Sequence, residues 1–156
     1  MIDLWKDITE DVVQNAMQNI HNNLTEIAKY ETNHRNHTFS KHIDKDDEYL
    51  INRIENGCHS ATSYYSEDIA KNCINSVLHN KWHVVAKFLL CKDEEIALYM
   101  HISEGVGYGY LEDIEGVFED CHLVCVVLEK DINKDWGFSV KTSYPIITRD
   151  LTPELI

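Results

Sequence analysis

HLVCVVLEKD (residues 122–131) and WGFSVKTSYPII (residues 136–147) decide the fold. The first is an apolar run of strand length, DINKD (131–135) reads as a turn, and the second segment returns as the antiparallel partner. Upstream the periodicity is helical. Ile8, Val12, Val13, Ala16, Met17, Ile20, Leu24, Ile27 and Ala28 predict an amphipathic helix over 8–30. Asp44 or Asp46 is placed to cap a second helix, with Tyr49, Leu50, Ile51 and Ile54 as its apolar residues and Gly57 as its stop. HSATSYYSED (59–68) reads as a hydroxyl-rich loop whose Ser66 caps a third helix through Ile69, Cys73 and Val77. That helix ends or bends at Asn80, and Trp82 to Leu90 forms a fourth helix or continues it. EIALYMHI (95–102) suits a strand; Gly105, Gly107 and Gly109 loosen the chain around Tyr108 and Tyr110; Glu112 to Asp120 reads as a turn with a short strand near Val117 and Phe118. Pro145 and Pro153 fall where the last strand is expected to stop. Helices first and strands later predict an α+β fold, with N-terminal helices packed on a C-terminal antiparallel sheet.

A chain of 156 residues, 44% hydrophobic and 26% charged, suits one domain with a real core. No apolar run approaches the roughly 20 residues that a membrane helix needs. The opening MIDLWKDITED is acidic and amphipathic, unlike a signal peptide. Five cysteines, an odd count without framework spacing, point to a reducing compartment. Cys121 and Cys125, in CHLVCVV, are expected on one face of one strand as small buried hydrophobes. The net charge of −13 opposes the approach of a polyanion, so any nucleic-acid function needs a local basic cleft.

Two stretches gather groups able to do chemistry. His37 to Arg53 (HTFSKHIDKDDEYLINR) sets two histidines, Lys41, Lys45 and one arginine around a helix start. His42 just ahead of that helix and Arg53 on it can face one cleft; a solvated basic patch is the ordinary alternative. In Lys141-Thr-Ser-Tyr-Pro145, strand alternation puts Thr142 and Tyr144 on one face and Ser143 on the other. A hydroxyl beside a phenol can bind a phosphate; an edge strand of common β-formers is the ordinary alternative. His79 and His83, four apart, could share a helix face as a metal pair, but no third ligand follows at a characteristic spacing, and surface histidines are the better reading. His101 and His122 read as structural.

The combination of HTFSKHIDK, an arginine in the next helix, the TSYYSEDIA helix entry and the VVLEKD…WGFSVKTSYP hairpin resembles a known family. It is similar to the RNase-A-like toxin domain at the C-terminus of bacterial contact-dependent growth-inhibition (CdiA-type) proteins. The likeness spans roughly 37–147 and is most specific in the H-T-x-x-x-H pattern and the closing T-x-Y-P. It divides the chain into an N-terminal helical extension, 1–36, and a toxin domain, 37–156. It implies a pancreatic-ribonuclease-like fold without disulfides, and a catalytic set of His42, Arg53, Thr142 and Tyr144. His37 is supportive, and Lys41, Lys45 and Lys141 are phosphate-attracting neighbours. The implied activity is metal-independent and cofactor-free cleavage of RNA, tRNA included, through the ribose 2′-OH. The implied setting is the cytoplasm of a target bacterium, with neutralisation by a dedicated immunity protein. The acidic charge departs from the pattern. It favours the alternative of a catalytically silent relative acting as a protein-binding or immunity-type module.

Overall fold

The computed structural model describes residues 42–133 and 137–148, together with three isolated helical positions, Asp11, Gln14 and Gln18. The helix expected over 8–30 and the extension 1–36 otherwise lie outside the described residues, as do His37 and Lys41. In chain order the elements are α1 (Asp47–Glu55), β1 (Ser60–Tyr64), α2 (Glu67–Asn80), α3 (Trp82–Leu90), β2 (Glu95–His101), β3 (Gly107–Leu111), β4 (Ile114–Cys121), β5 (Leu123–Lys130) and β6 (Phe138–Ile146). This is an α+β fold with two antiparallel three-stranded sheets, ordered β1-β3-β4 and β2-β5-β6.

Local chemistry explains the helix boundaries. Asp46 is the N-cap of α1, its carboxylate accepting from the Tyr49 N–H at 2.8 Å, while Asp44 holds a left-handed φ of 49° that a helix start does not use. Asp47 and Glu48 sit in the first turn, where the helix dipole favours negative charge. Ser66 caps α2 by accepting from the Ile69 N–H at 3.2 Å. Lys81 closes α2 and opens α3, so the chain bends there. His79 and His83 therefore belong to different helices, and His83 stacks on Trp82 with ring centroids 3.5 Å apart. Among the described residues no group of three His, Cys, Asp or Glu side chains is arranged to hold a metal.

Two stretches expected as loop or loosened chain are strands, and a third, expected as a turn with a short strand near Val117 and Phe118, is a strand from Ile114 to Cys121. The hydroxyl-rich segment after His59 is β1, and Ala61, Thr62, Ser63 and Tyr64 are all buried. Both of its faces are covered, so the alternation that marks a strand is missing. Glycine-rich β3 is extended because close approach demands it: a Cβ at Gly107 would lie 2.3 Å from the Ser63 carbonyl oxygen, and one at Gly109 2.4 Å from that of Ala61. The acidic stretch is β4, an eight-residue edge strand, mostly exposed, whose charges suit a solvated edge. The expected single sheet is thus two.

Two further expectations change. Cys121 ends β4 and Cys125 lies in β5, so they occupy different sheets; both are buried free thiols. The break falls at His122, whose ring Nδ1–H donates to the Ile102 carbonyl at 3.0 Å. Pro145 lies within β6 rather than after it. β6 is an edge strand, where a missing N–H costs little.

The main core forms where one face of the second sheet meets the helices. Leu98, Val124, Val126, Leu128, Phe138 and Val140 pack with Ala70, Ile74, Val77, Leu78, Val85 and Phe88. Each large apolar side chain buried there stabilises the fold by about 1.5–3 kcal/mol. Among the described residues no helix is long and apolar enough to cross a membrane.

Candidate active site

The site is built where the two sheets meet, along a polar seam between β1 and β6. The Thr62 hydroxyl donates to the Pro145 carbonyl at 2.7 Å. Ser143 donates to the Cys125 carbonyl at 2.8 Å, leaving its oxygen to accept from the Tyr64 hydroxyl at 2.6 Å. Thr62, Tyr64 and Ser143 are all buried, so each of these bonds is needed to satisfy a group removed from water. Burial also pushes the Tyr64 phenol well above its ordinary pKa.

His42 is tied to this seam by main chain on both sides. The Tyr64 N–H donates to the His42 carbonyl at 2.6 Å, the Asp44 N–H donates to the Tyr64 carbonyl at 3.0 Å, and Ile43 bridges Tyr64 in parallel. The Lys45 N–H donates to the Ser63 hydroxyl at 3.0 Å, and Tyr108 donates its hydroxyl to the Lys45 carbonyl. The imidazole Nδ1 lies 3.3 Å from the Thr62 carbonyl oxygen. A carbonyl only accepts, so this contact puts a proton on Nδ1 and makes Nε2 the basic nitrogen of the neutral ring. The ring meets that of Tyr144 at 5.2 Å between centroids, tilted by 41°, and His42 is only 8% exposed.

Tyr144 and Thr142 share a face of β6 by alternation, and a bulge decides which face that is. Val127 pairs with Thr142 and Leu128 with Val140, so Lys141 is an extra residue on β6. Before the bulge the even positions, Phe138 and Val140, enter the core; after it the odd positions, Ser143 and Pro145, are the buried ones. The inserted residue therefore turns Thr142 and Tyr144 away from the core. Burial raises the Tyr144 phenol above its usual pKa, helped by the thiol of Cys125, its cross-strand partner. Tyr99, on the other flank of Cys125, completes a row across β2, β5 and β6.

Arg53 comes from α1, which packs on β1 and β3. Its Nη2 lies 4.0 Å from the Cys58 sulfur, a weak contact, and its Nη1 is buried without a hydrogen-bond partner. The Thr142 hydroxyl is likewise buried and unpartnered. Leaving such a group unmet costs about 1–3 kcal/mol, more when it is charged. A bound anion would satisfy both kinds of donor. Lys45 sets its ammonium 5.2 Å from the centre of the Tyr49 ring. Lys141 donates to the Glu95 carboxylate, and that bond, with Glu95 and Glu129 adding attraction, raises its pKa.

A family model, described as the bacterial CdiA-CT RNAse A domain, matches residues 36–145. The chain belongs to this family. A chain in the crystal structure of the CdiA-CT/CdiI complex from Y. kristensenii 33638 has a similar fold, with a TM-score of 0.65 at 17% identity, covering 68% of this chain and 95% of that one. No curated protein matches.

Within this CdiA-CT RNase A domain the structure puts two of the four residues expected as catalytic, His42 and Tyr144, in ring contact. Thr142 lies on the same face of β6 as Tyr144, and Arg53 stands on the helix that begins just after His42. Thr62 went unrecognised because its segment reads as a loop. Its hydroxyl holds β6 and its carbonyl holds the imidazole. The run of four small or hydroxyl-bearing residues, Ser60 to Ser63, before a tyrosine pair was the available signal.

Proposed function

We propose that this domain, as a toxin ribonuclease of its family, cleaves RNA by attack of the ribose 2′-OH on the adjoining phosphate, giving a 2′,3′-cyclic phosphate and a 5′-hydroxyl. The nucleophile is part of the substrate, so the protein must move protons and stabilise charge. His42 serves as acid–base group through Nε2, with Nδ1 held by the Thr62 carbonyl. One such group is typically worth about 10²- to 10⁴-fold in rate. Arg53 binds phosphate oxygens with permanent charge, and Thr142 donates to a phosphate oxygen or the base. Tyr144 keeps its proton at working pH and acts as a donor. The reaction needs no metal, and tRNA is within the substrate class.

The observation that carries this reading is the His42–Tyr144 ring contact beside the unpartnered hydroxyl of Thr142, within a domain of this family. By likeness to the CdiA-CT/CdiI complex, a CdiI-type immunity protein neutralises the domain, and its place of action is the cytoplasm of a target bacterium. Purified protein is incubated with total tRNA in EDTA, wild type beside His42→Ala. Wild type is expected to cleave, and the variant to lose at least a hundredfold while keeping its circular dichroism. Equal cleavage by both would reject the assignment.

A further inference from the structure

Three buried side-chain polar atoms lack a hydrogen-bond partner among the described residues: Arg53 Nη1, Thr142 Oγ1 and Glu129 Oε2. Two belong to the site proposed above. Glu129 stands beside one of them. Val127 is opposite Thr142, and Glu129 follows Val127 by two residues on the same face of β5. Glu129 itself pairs with Ser139, so it stands across the Lys141 bulge from Thr142 on that face. The face therefore reads in one direction: His42 on Tyr144, then Thr142, then Glu129.

The surroundings of Glu129 are unusual for a structural carboxylate. Glu95 sits directly opposite it on β2, a like-charged cross-strand pair that by itself destabilises a sheet. The ammonium of Lys141, carried by the bulge, donates to Glu95 and is also attracted by Glu129. Lys141 thus makes the acidic pair tolerable while Glu129 Oε2 still has no donor. A buried carboxylate oxygen without a donor suits an incoming N–H group.

We infer that Glu129 is a specificity-determining residue that accepts a hydrogen bond from the exocyclic amine of the nucleobase next to the cleaved phosphate. Cytosine, adenine and guanine offer such an amine. Uracil presents carbonyl oxygens on both sides of its only ring N–H, and these are repelled by the carboxylate. The inference rests on the ribonuclease reading for its setting, but binding can be tested without cleavage.

The experiment measures the affinity of the four nucleoside 3′-monophosphates for wild type, Glu129→Gln and Glu129→Ala by calorimetry. Cleavage of the four matching dinucleotides is followed in parallel. Wild type is expected to prefer amine-bearing bases over uracil by about tenfold or more, as one good side-chain–base contact allows. Both variants are expected to bring that ratio close to one, while binding of inorganic phosphate stays unchanged. A ratio unmoved by either substitution overturns the inference, as does a uniform loss across all four bases, which marks a structural role. Failure of all four nucleotides to bind also overturns it. Absence of cleavage with selective binding intact would count against the ribonuclease reading alone.

Discussion

At the scale of single residues, the proposed chemistry turns on how little freedom His42 has. Its ring is held between the Thr62 carbonyl and the Tyr144 ring, and its main chain is sewn to Tyr64 on both sides. Its tautomer thus depends on a strand twenty residues further on. Tyr144→Phe keeps the ring contact and removes the donor. It is expected to lower kcat/KM on a dinucleotide by about ten- to a hundredfold, on the scale of a lost transition-state donor. Because the Tyr144 pKa is raised, its proton stays on through neutral and mildly alkaline pH. Wild type and Tyr144→Phe should therefore show pH–rate profiles of the same shape up to pH 9; a limb lost in the variant would assign the titration to Tyr144. Arg53→Lys keeps the charge but loses the planar fork, and should weaken phosphate binding in the same calorimetric assay. His42, Thr142 and Tyr144 could be proposed from the sequence because they stand in the H-T-x-x-x-H and T-x-Y-P patterns, and Arg53 because it follows on the next helix. Thr62 and Glu129 could not, since the Thr62 carbonyl contact with His42 and the burial of the Glu129 carboxylate come from tertiary packing that residue identity does not reveal.

At the scale of elements, the bulge at Lys141 decides which way the last strand faces. Alternation alone correctly pairs Thr142 with Tyr144, but it also sets them on the same side as Phe138 and Val140, in the core. Deleting Lys141 would restore that parity. Such a deletion is expected to abolish RNA cleavage and to lower the urea midpoint sharply. Lys141→Ala keeps the extra residue and should retain the register and most of the activity, with a modest loss of stability because the Glu95–Glu129 pair loses its counter-charge. Equal loss in both would show that the side chain, not the register, matters. Helix ends were readable because caps are local: Asp46 and Ser66 each satisfy an N–H three residues on. β1 and β3 were not, and β4 only near Val117 and Phe118, because each departs from strand patterning for a tertiary reason. β1 is covered on both faces, β3 trades side chains for close approach, and β4 is a charged edge.

At the scale of the whole molecule, three buried thiols set an alkaline limit on stability. Burial raises Cys73 from 9.0 to about 12 and Cys121 from 9.0 to about 11, and lifts Cys125 as well. In the unfolded chain these thiols ionise near pH 9, whereas in the folded protein they stay protonated. The unfolded state then binds fewer protons, so stability is fully present below pH 9 and falls as pH rises towards about 12. Urea midpoints between pH 7 and 11 are expected to show this decline, and Cys73→Ala should flatten part of it despite a lower starting stability. A midpoint independent of pH would contradict the burial of these thiols. The net charge of −13 is unfavourable to polyanion approach at large, so the proposed function requires RNA affinity to come from Arg53 and its immediate neighbours. The salt dependence of binding is then shallow, with a log–log slope of magnitude about 1–2, as few neutralised phosphates give.

The most direct measurement of the central claim compares one RNA oligonucleotide with its 2′-O-methyl counterpart at the cleavage position, both in EDTA, with products analysed by phosphorus NMR. The account predicts a 2′,3′-cyclic phosphate from the first and no cleavage of the second. Cleavage of the methylated strand, or a product ending in a 3′-hydroxyl, would contradict it.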